Sequence, residues 1–250
     1  MADADSAVLK IGLLYPELLG TYGDGGNAAV LAERSRRHGF DASILTVSLD
    51  DHLVAADLYV IGGGEDGPQR LACELLARES LRSRVDDGAF VFAVCAGLQI
   101  LGTSFAVDGD DEYPGLGIVD ATTRRGARRA VGDFVAEVDG RTLVGFENHG
   151  GWTTLGPSVR PLARVIRGRG NDGRVDGFVT ERLWATYAHG PVLAQNPWLA
   201  DHVLSRALAT SLGPLPGVAD RLYAERCRVL NRPLDEHRRV GFRIPGARDR

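Results

Sequence analysis

The most constraining feature of this chain is an apolar run that ends abruptly on a cysteine: Gly88-Ala-Phe-Val-Phe-Ala-Val-Cys95-Ala-Gly-Leu-Gln99-Ile-Leu-Gly102. The five residues from Phe90 to Val94 read as a buried strand, and a helical pattern starts directly after Cys95. Strand, tight turn and helix in that order form a nucleophile elbow, in which strained backbone lifts the reactive side chain out of the sheet. A thiol at such a turn meets the positive end of the helix dipole, which favours thiolate. The stretch therefore predicts a cysteine nucleophile carried on an α/β sheet.

The N-terminal half repeats the same alternation. Strands are expected at 8–14, 42–47, 58–61 and 90–94. A helix is expected from Asn27, as its cap, to about His38, where Gly39 ends it, and another from Pro68 to about Arg84. Nearly continuous apolar strands separated by helices specify a parallel sheet covered on both faces. After residue 110 the pattern turns to β segments at 116–122, 131–138, 143–147, 163–166, 178–180 and 183–188, joined by glycine-rich turns. Helix returns at 198–212, with Asn196 as cap and Pro197 in first position. The reading is one α/β domain over 8–212 with β-rich insertions, followed by a basic extension over 213–250. From Arg221 onward that extension has nine Arg against four acidic residues; it is expected to be helical to about Leu230 and frayed beyond.

Composition excludes several classes. A net charge of −4 gives no reason to expect nucleic acid as the main partner. Residues 1–6 are short, polar and acidic, unlike a signal peptide, and no apolar run approaches the roughly 20 residues of a membrane helix. Three scattered cysteines, Cys73, Cys95 and Cys227, suit a reducing cytoplasm and form neither a disulfide framework nor a zinc motif. Cys73 sits in a helical pattern with Leu71, Leu75 and Leu76 and reads as core, whereas Cys227 has no chemical company.

A thiol nucleophile needs a base. Of six histidines, His38, His52, His202 and His237 fall at a helix end, in a loop, within a helix and in the charged tail. His149 and His189 each follow a β segment and precede glycine, which places them at strand ends where α/β sites form. Gly62-Gly-Gly64 after the third strand offers backbone N–H groups for an oxyanion, together with the N–H of Ala96. A phosphate loop is the weaker reading there, because no Lys-Ser/Thr follows and Glu65 and Asp66 would repel phosphate.

Taken together, Gly12-Leu-Leu-Tyr-Pro-Glu-Leu18, Tyr22-Gly-Asp-Gly-Gly-Asn27, Ile61-Gly-Gly-Gly64, Cys95-Ala-Gly-Leu-Gln99, Phe146-Glu-Asn-His-Gly-Gly151 and Tyr187-Ala-His-Gly-Pro191 resemble the class I (triad-type) glutamine amidotransferases of the cobyric-acid-synthase-like branch. The resemblance runs from about Lys10 to Leu212. It implies a flavodoxin-like fold with Cys95 as nucleophile, His189 as base and His149 as its alternate, and Gly64 and Ala96 as oxyanion donors. It also implies that an arginine holds glutamine. The pattern Arg129-Ala-Val-Gly-Asp133 selects Arg129, with Arg124, Arg125 and Arg128 as neighbours in register. Gly63, Gln99, Asn148 and His149 complete the implied glutamine pocket, and no metal is implied.

Within the branch the motif order looks most like glutaminase subunits that work with a MurT-like, Mur-ligase-type synthetase. That likeness implies a cytoplasmic heterodimer that hydrolyses L-glutamine and passes ammonia to the D-glutamate of lipid II. ATP and magnesium would then belong to the partner, with no cofactor in this chain. The alternatives are an amidotransferase for a cobyrinate-type acceptor, a cysteine peptidase or deglycase on the same fold, and an interaction subunit whose Cys95 is only core. One departure stands out. Many triad-type relatives carry His-x-Glu, whereas Gly190-Pro191 follows His189 here, so the orienting acid is expected from the partner in trans.

Overall fold

A computed structural model describes residues 8–106 and 112–230. β1 (Leu9–Leu14) leads through α1 (Pro16–Leu19) and a glycine-rich turn into α2 (Gly26–Arg37); β2 (Ala42–Val47), β3 (Leu58–Ile61), α3 (Asp66–Arg78), α4 (Leu81–Asp86), β4 (Phe90–Val94) and α5 (Ala96–Leu101) follow. The chain then leaves this sheet. β5 (Ser104–Ala106), β6 (Glu112–Pro114), β7 (Ala121–Val138), β8 (Arg141–Leu155), β9 (Ala163–Arg167) and β10 (Val175–Asp176) build a second, mainly antiparallel sheet. It returns with β11 (Phe178–Val179) and β12 (Leu183–Thr186), and closes with α6 (Val192–Gln195), α7 (Pro197–Ala207) and α8 (Val218–Leu230).

The first sheet runs β11-β12-β4-β3-β1-β2 and is parallel apart from the edge strand β11. Every residue of β3 and β4 is buried, as the unbroken apolar runs require. From β1 the chain steps to β2 on one side, and from β3 to β4 on the other. Right-handed crossovers therefore send α2 and α3 to opposite faces. α2 packs with α6 and α7, and α3 with α1, α4 and α5. The order reverses between β1 and β3, so the crevice at their carboxyl ends is the place where such a sheet builds a site. Arg34 of α2 makes a buried two-pronged ion pair with Asp201 of α7, at 2.6 and 2.5 Å, and fixes the helix whose N-terminal turn faces that crevice.

Several local expectations change. The helix expected over 68–84 breaks at Ser80, whose left-handed φ of 57° separates α3 from α4. Asn27 is not a cap. Gly25 occupies the cap position, and the Asn27 side chain accepts the Leu193 N–H at 2.9 Å, tying α2 to the chain after His189. Asn196 does hold the cap position of α7, but its amide bonds Val144 and Val192 rather than the helix it begins. The strands expected at 116–122 and 131–138 are one strand, β7, which starts at Ala121 and pairs with β8 through a two-residue Asp139-Gly140 turn. Both turn residues have positive φ, 47° and 79°, the geometry of a tight hairpin. The frayed end expected beyond Leu230 lies outside the described residues. Among the described residues no helix is long and apolar enough to cross a membrane.

Candidate active site

The loops that leave β1, β3, β4 and β12 converge at one end of the first sheet. Cys95 follows β4 and holds the cap position of α5 with φ 52° and ψ −104°, a strained pair for a residue with a side chain. Its N–H bonds the carbonyl of Thr186 at the end of β12, at 2.9 Å. Two residues later the Gly97 N–H bonds the Gly62 carbonyl at 3.1 Å, bringing α5 against the loop after β3. A Cβ on Gly97 would sit 2.8 Å from the Ile61 side chain, so only glycine permits this approach. The elbow read from the sequence is present. Gly64 and Cys95 line one cavity, and Ala96 opens α5 beside it.

His189 is delivered by a backbone bridge. Its N–H donates to the Phe146 carbonyl at 2.7 Å, and the Phe146 N–H donates to its carbonyl at 3.2 Å, so β8 of the second sheet holds the loop after β12 in place. The imidazole is fully buried. Nδ1 lies 2.8 Å from Asp24 Oδ2, while Nε2 is buried without a hydrogen-bond partner, on the side left for the thiol. Within this chain, a carboxylate thus faces the ring nitrogen that points away from the thiol. Asp24 Oδ2 also accepts the Gly63 N–H at 2.9 Å. The N–H of Gly63, expected among the substrate-binding residues, is thus engaged by Asp24. Gly63 stands where the three groups meet. A Cβ there would lie 2.5 Å from His189 Cε1, 3.1 Å from Asp24 Oδ2 and 3.3 Å from Cys95 Cβ. Burial works against a charged His189, but the Asp24 carboxylate and the Cys95 thiol outweigh it and push its pKa up to about 10.

His149 lines the same cavity but is held differently. Its Nδ1 faces the Gly151 carbonyl at 3.1 Å and its Nε2 faces Glu147 at 3.3 Å. Its ring stacks on Tyr187 at 3.9 Å. Neither nitrogen is free to serve Cys95, which removes His149 as an alternate base. Burial works to raise the pKa of Glu147, but His149 and the N–H groups of Arg169 and Gly170 prevail and hold it below the usual carboxylate range. Gln99 accepts from Gln69 at 2.9 Å and donates to the Tyr187 hydroxyl at 3.1 Å, closing the buried wall of the cavity.

The opposite wall comes from the β7–β8 hairpin. Between the pairs Arg125↔Gly151 and Ala130↔His149, residues 126–129 of β7 face the single Gly150 of β8. This bulge throws Arg129 over the cavity. Arg129 donates to Asn148 Oδ1 at 2.6 Å and to the Tyr22 hydroxyl at 3.3 Å. Asn148 also donates to that hydroxyl, at 2.9 Å, and the hydroxyl donates to Glu65 at 3.3 Å. The Tyr22 ring covers His189 with centroids 4.5 Å apart. Arg124 and Arg125 line the cavity too, but Arg125 is turned toward Asp66 at 3.6 Å, and Arg128 lies outside the lining. The structure thus brings together Cys95, His189, Gly64, Ala96, Gln99, Asn148, His149 and Arg129. It adds Asp24, Tyr22 and Glu65. The signal for the first two was their place in a glycine-rich loop at the carboxyl end of β1. Among the described residues no cluster of three His, Cys, Asp or Glu side chains is placed to hold a metal.

Comparison with known proteins gives the family. Residues 10–197 match the CobB/CobQ-like glutamine amidotransferase domain. The chain is 33% identical over 196 residues to the lipid II isoglutaminyl synthase (glutamine-hydrolyzing) subunit GatD of Staphylococcus aureus (strain N315), covering 76% of this chain and 80% of that relative. Against the subunit of the same name from Streptococcus pneumoniae (strain ATCC BAA-255 / R6), identity is 31% over 229 residues, with 87% and 88% covered. A solved glutamine amidotransferase superposes with a TM-score of 0.59 at 25% identity, over 79% of this chain and 98% of that one.

Proposed function

This chain belongs to the CobB/CobQ-like glutamine amidotransferase family, and on that premise we propose that it is the glutaminase subunit of a lipid II isoglutaminyl synthase. The observation that carries the reading is the cavity lined by both the Cys95 elbow and the Arg129 bulge, with the unpartnered Nε2 of His189 buried behind it. Glutamine bears opposite charges on its α-carbon. The cavity rim offers Arg129 for the carboxylate and Glu65 for the ammonium, joined through the Tyr22 hydroxyl.

Cys95 Sγ attacks the side-chain amide carbon, and the N–H groups of Gly64 and Ala96 receive the oxyanion. His189 gives a proton to the departing nitrogen, leaving a γ-glutamyl thioester and ammonia. His189 then takes a proton from water as it attacks the thioester, and glutamate leaves. Ammonia must reach its acceptor before bulk water protonates it, which calls for a docked synthetase. In this reading the partner is MurT-like, supplies ATP and magnesium chemistry, and amidates the D-glutamate of lipid II from the cytoplasmic side.

Cys95→Ala tests the assignment. We expect no ammonia release from glutamine, in a coupled glutamate assay of the chain with its synthetase, and unchanged co-elution of the two proteins. Glutaminase activity surviving in that variant would overturn it.

A further inference from the structure

We propose that Tyr22 couples recognition of the substrate's α-ammonium group to the placement of His189, so that full turnover is reserved for amides that carry a free α-amino group. The proposal rests on the glutaminase reading and deepens it.

Tyr22 touches two parts of the site. Its ring covers His189, with centroids 4.5 Å apart and planes tilted by 56°. Its hydroxyl donates to Glu65 at 3.3 Å and accepts from Asn148 at 2.9 Å and from Arg129 at 3.3 Å. One donated and two accepted bonds use every position of a phenol hydroxyl. Glu65, Asn148 and Arg129 line the cavity, whereas Tyr22 lies outside the lining. Tyr22 therefore meets a bound substrate only through these three side chains, which makes it a positioning residue.

The backbone around Tyr22 is held by turns. The Gly23 N–H donates to the Gly20 carbonyl at 3.0 Å, closing a β-turn with Tyr22 in third position. Gly23 then takes φ 74°, and its carbonyl accepts the Gly26 N–H at 2.9 Å as α2 begins. Tyr187 marks the contrast. Its ring also lies on a histidine, His149 at 3.9 Å, but its hydroxyl bonds Gln99 and Thr153, which are neutral and buried. It braces the wall and has no charged partner through which a ligand could act.

The two bonds that the Tyr22 hydroxyl accepts duplicate each other, so Asn148 still holds it when Arg129 turns to a carboxylate. The donated bond has no duplicate. Glu65 holds the cap position of α3 without bonding the helix it begins, and its side chain is exposed. Among the described residues the Tyr22 hydroxyl is the hydrogen-bond partner that its carboxylate has. An ammonium group on the cavity side of Glu65 fixes that carboxylate, the carboxylate fixes the hydroxyl, and the ring then limits where the His189 edge can lie. Binding energy from the remote end of the substrate is thereby felt at the reacting atoms, in kcat as well as in KM.

The test compares L-glutamine with glutaramate, the same amide without its α-amino group. It uses the chain in complex with its synthetase and follows release of the product acid. For the wild-type complex we expect kcat to be about 30-fold or more lower on glutaramate, besides a higher KM. Tyr22→Phe keeps the ring and removes the hydroxyl. Its kcat on glutamine should fall about tenfold, and its kcat values on the two amides should agree within about threefold. A tyrosine with a merely structural role would lower both kcat values alike and preserve their ratio. A Tyr22→Phe ratio within about threefold of the wild-type ratio therefore overturns the proposal. So does a wild-type complex whose kcat is the same on both amides within about threefold, a result that requires no variant to fold. Both of those outcomes leave the glutaminase reading intact. A complex that hydrolyses neither amide overturns that reading, and this proposal with it.

Discussion

His189 and His149 belong to the same site, both buried, both followed by glycine, and each faces a carboxylate. Only one is placed to be a base. His149 has an acceptor on each nitrogen and a tyrosine against its ring, so it is a brace between Glu147 and the Gly151 carbonyl. His189 has one nitrogen fixed by Asp24 and the other left bare toward the thiol. Burial and a carboxylate partner are common to both. What separates them is an uncommitted nitrogen aimed at the nucleophile.

The comparison is easiest to break at His189. His189→Ala should lower kcat by about 1,000-fold or more, measured as glutamate release at saturating glutamine. Gly63→Ala leaves every catalytic side chain in place but sets a methyl group where the His189 ring edge lies. We expect a loss of about 100-fold in kcat, since an ångström of misplacement has that effect. Arg129→Ala moves the test to substrate holding: KM for glutamine should rise about tenfold or more, with kcat within about threefold. His149→Phe should have the smallest effect on turnover, less than about tenfold. It should instead lower thermal stability by roughly 2–3 kcal/mol, because buried Glu147 loses a hydrogen-bond partner. A His149→Phe enzyme as crippled as His189→Ala would erase the distinction drawn here.

The first sheet was legible because its strands are nearly solid runs of apolar residues, and Cys95 because a strand that stops on a reactive side chain has few other uses. Arg129 was legible only through family likeness; its register depends on a bulge, and residues 124–129 read along the chain as a solvated basic loop. The break at Ser80 escaped notice because nothing in Arg78-Glu-Ser80-Leu resembles a helix stop. Asn27 and Asn196 carry the residue type of a cap, yet their amides are recruited across the fold by Leu193 and Val144, a tertiary demand that no local pattern announces. Asp24 was the largest omission. The carboxylate that faces His189 Nδ1 lies 165 residues before it, a pairing that no local pattern announces.

That separation has a consequence for the life of the protein. The nucleophile, the base and its carboxylate enter the site from residues 95, 189 and 24, and His189 is registered only when the second sheet has bridged to the first at Phe146. Contacts so distant in sequence form late, after the loops between them have closed. A nascent or half-assembled chain therefore holds a cysteine but no catalyst, and does not spend the cell's glutamine before the fold is finished. Glutamine turnover by this protein is thus also a measure of how much of it has completed folding.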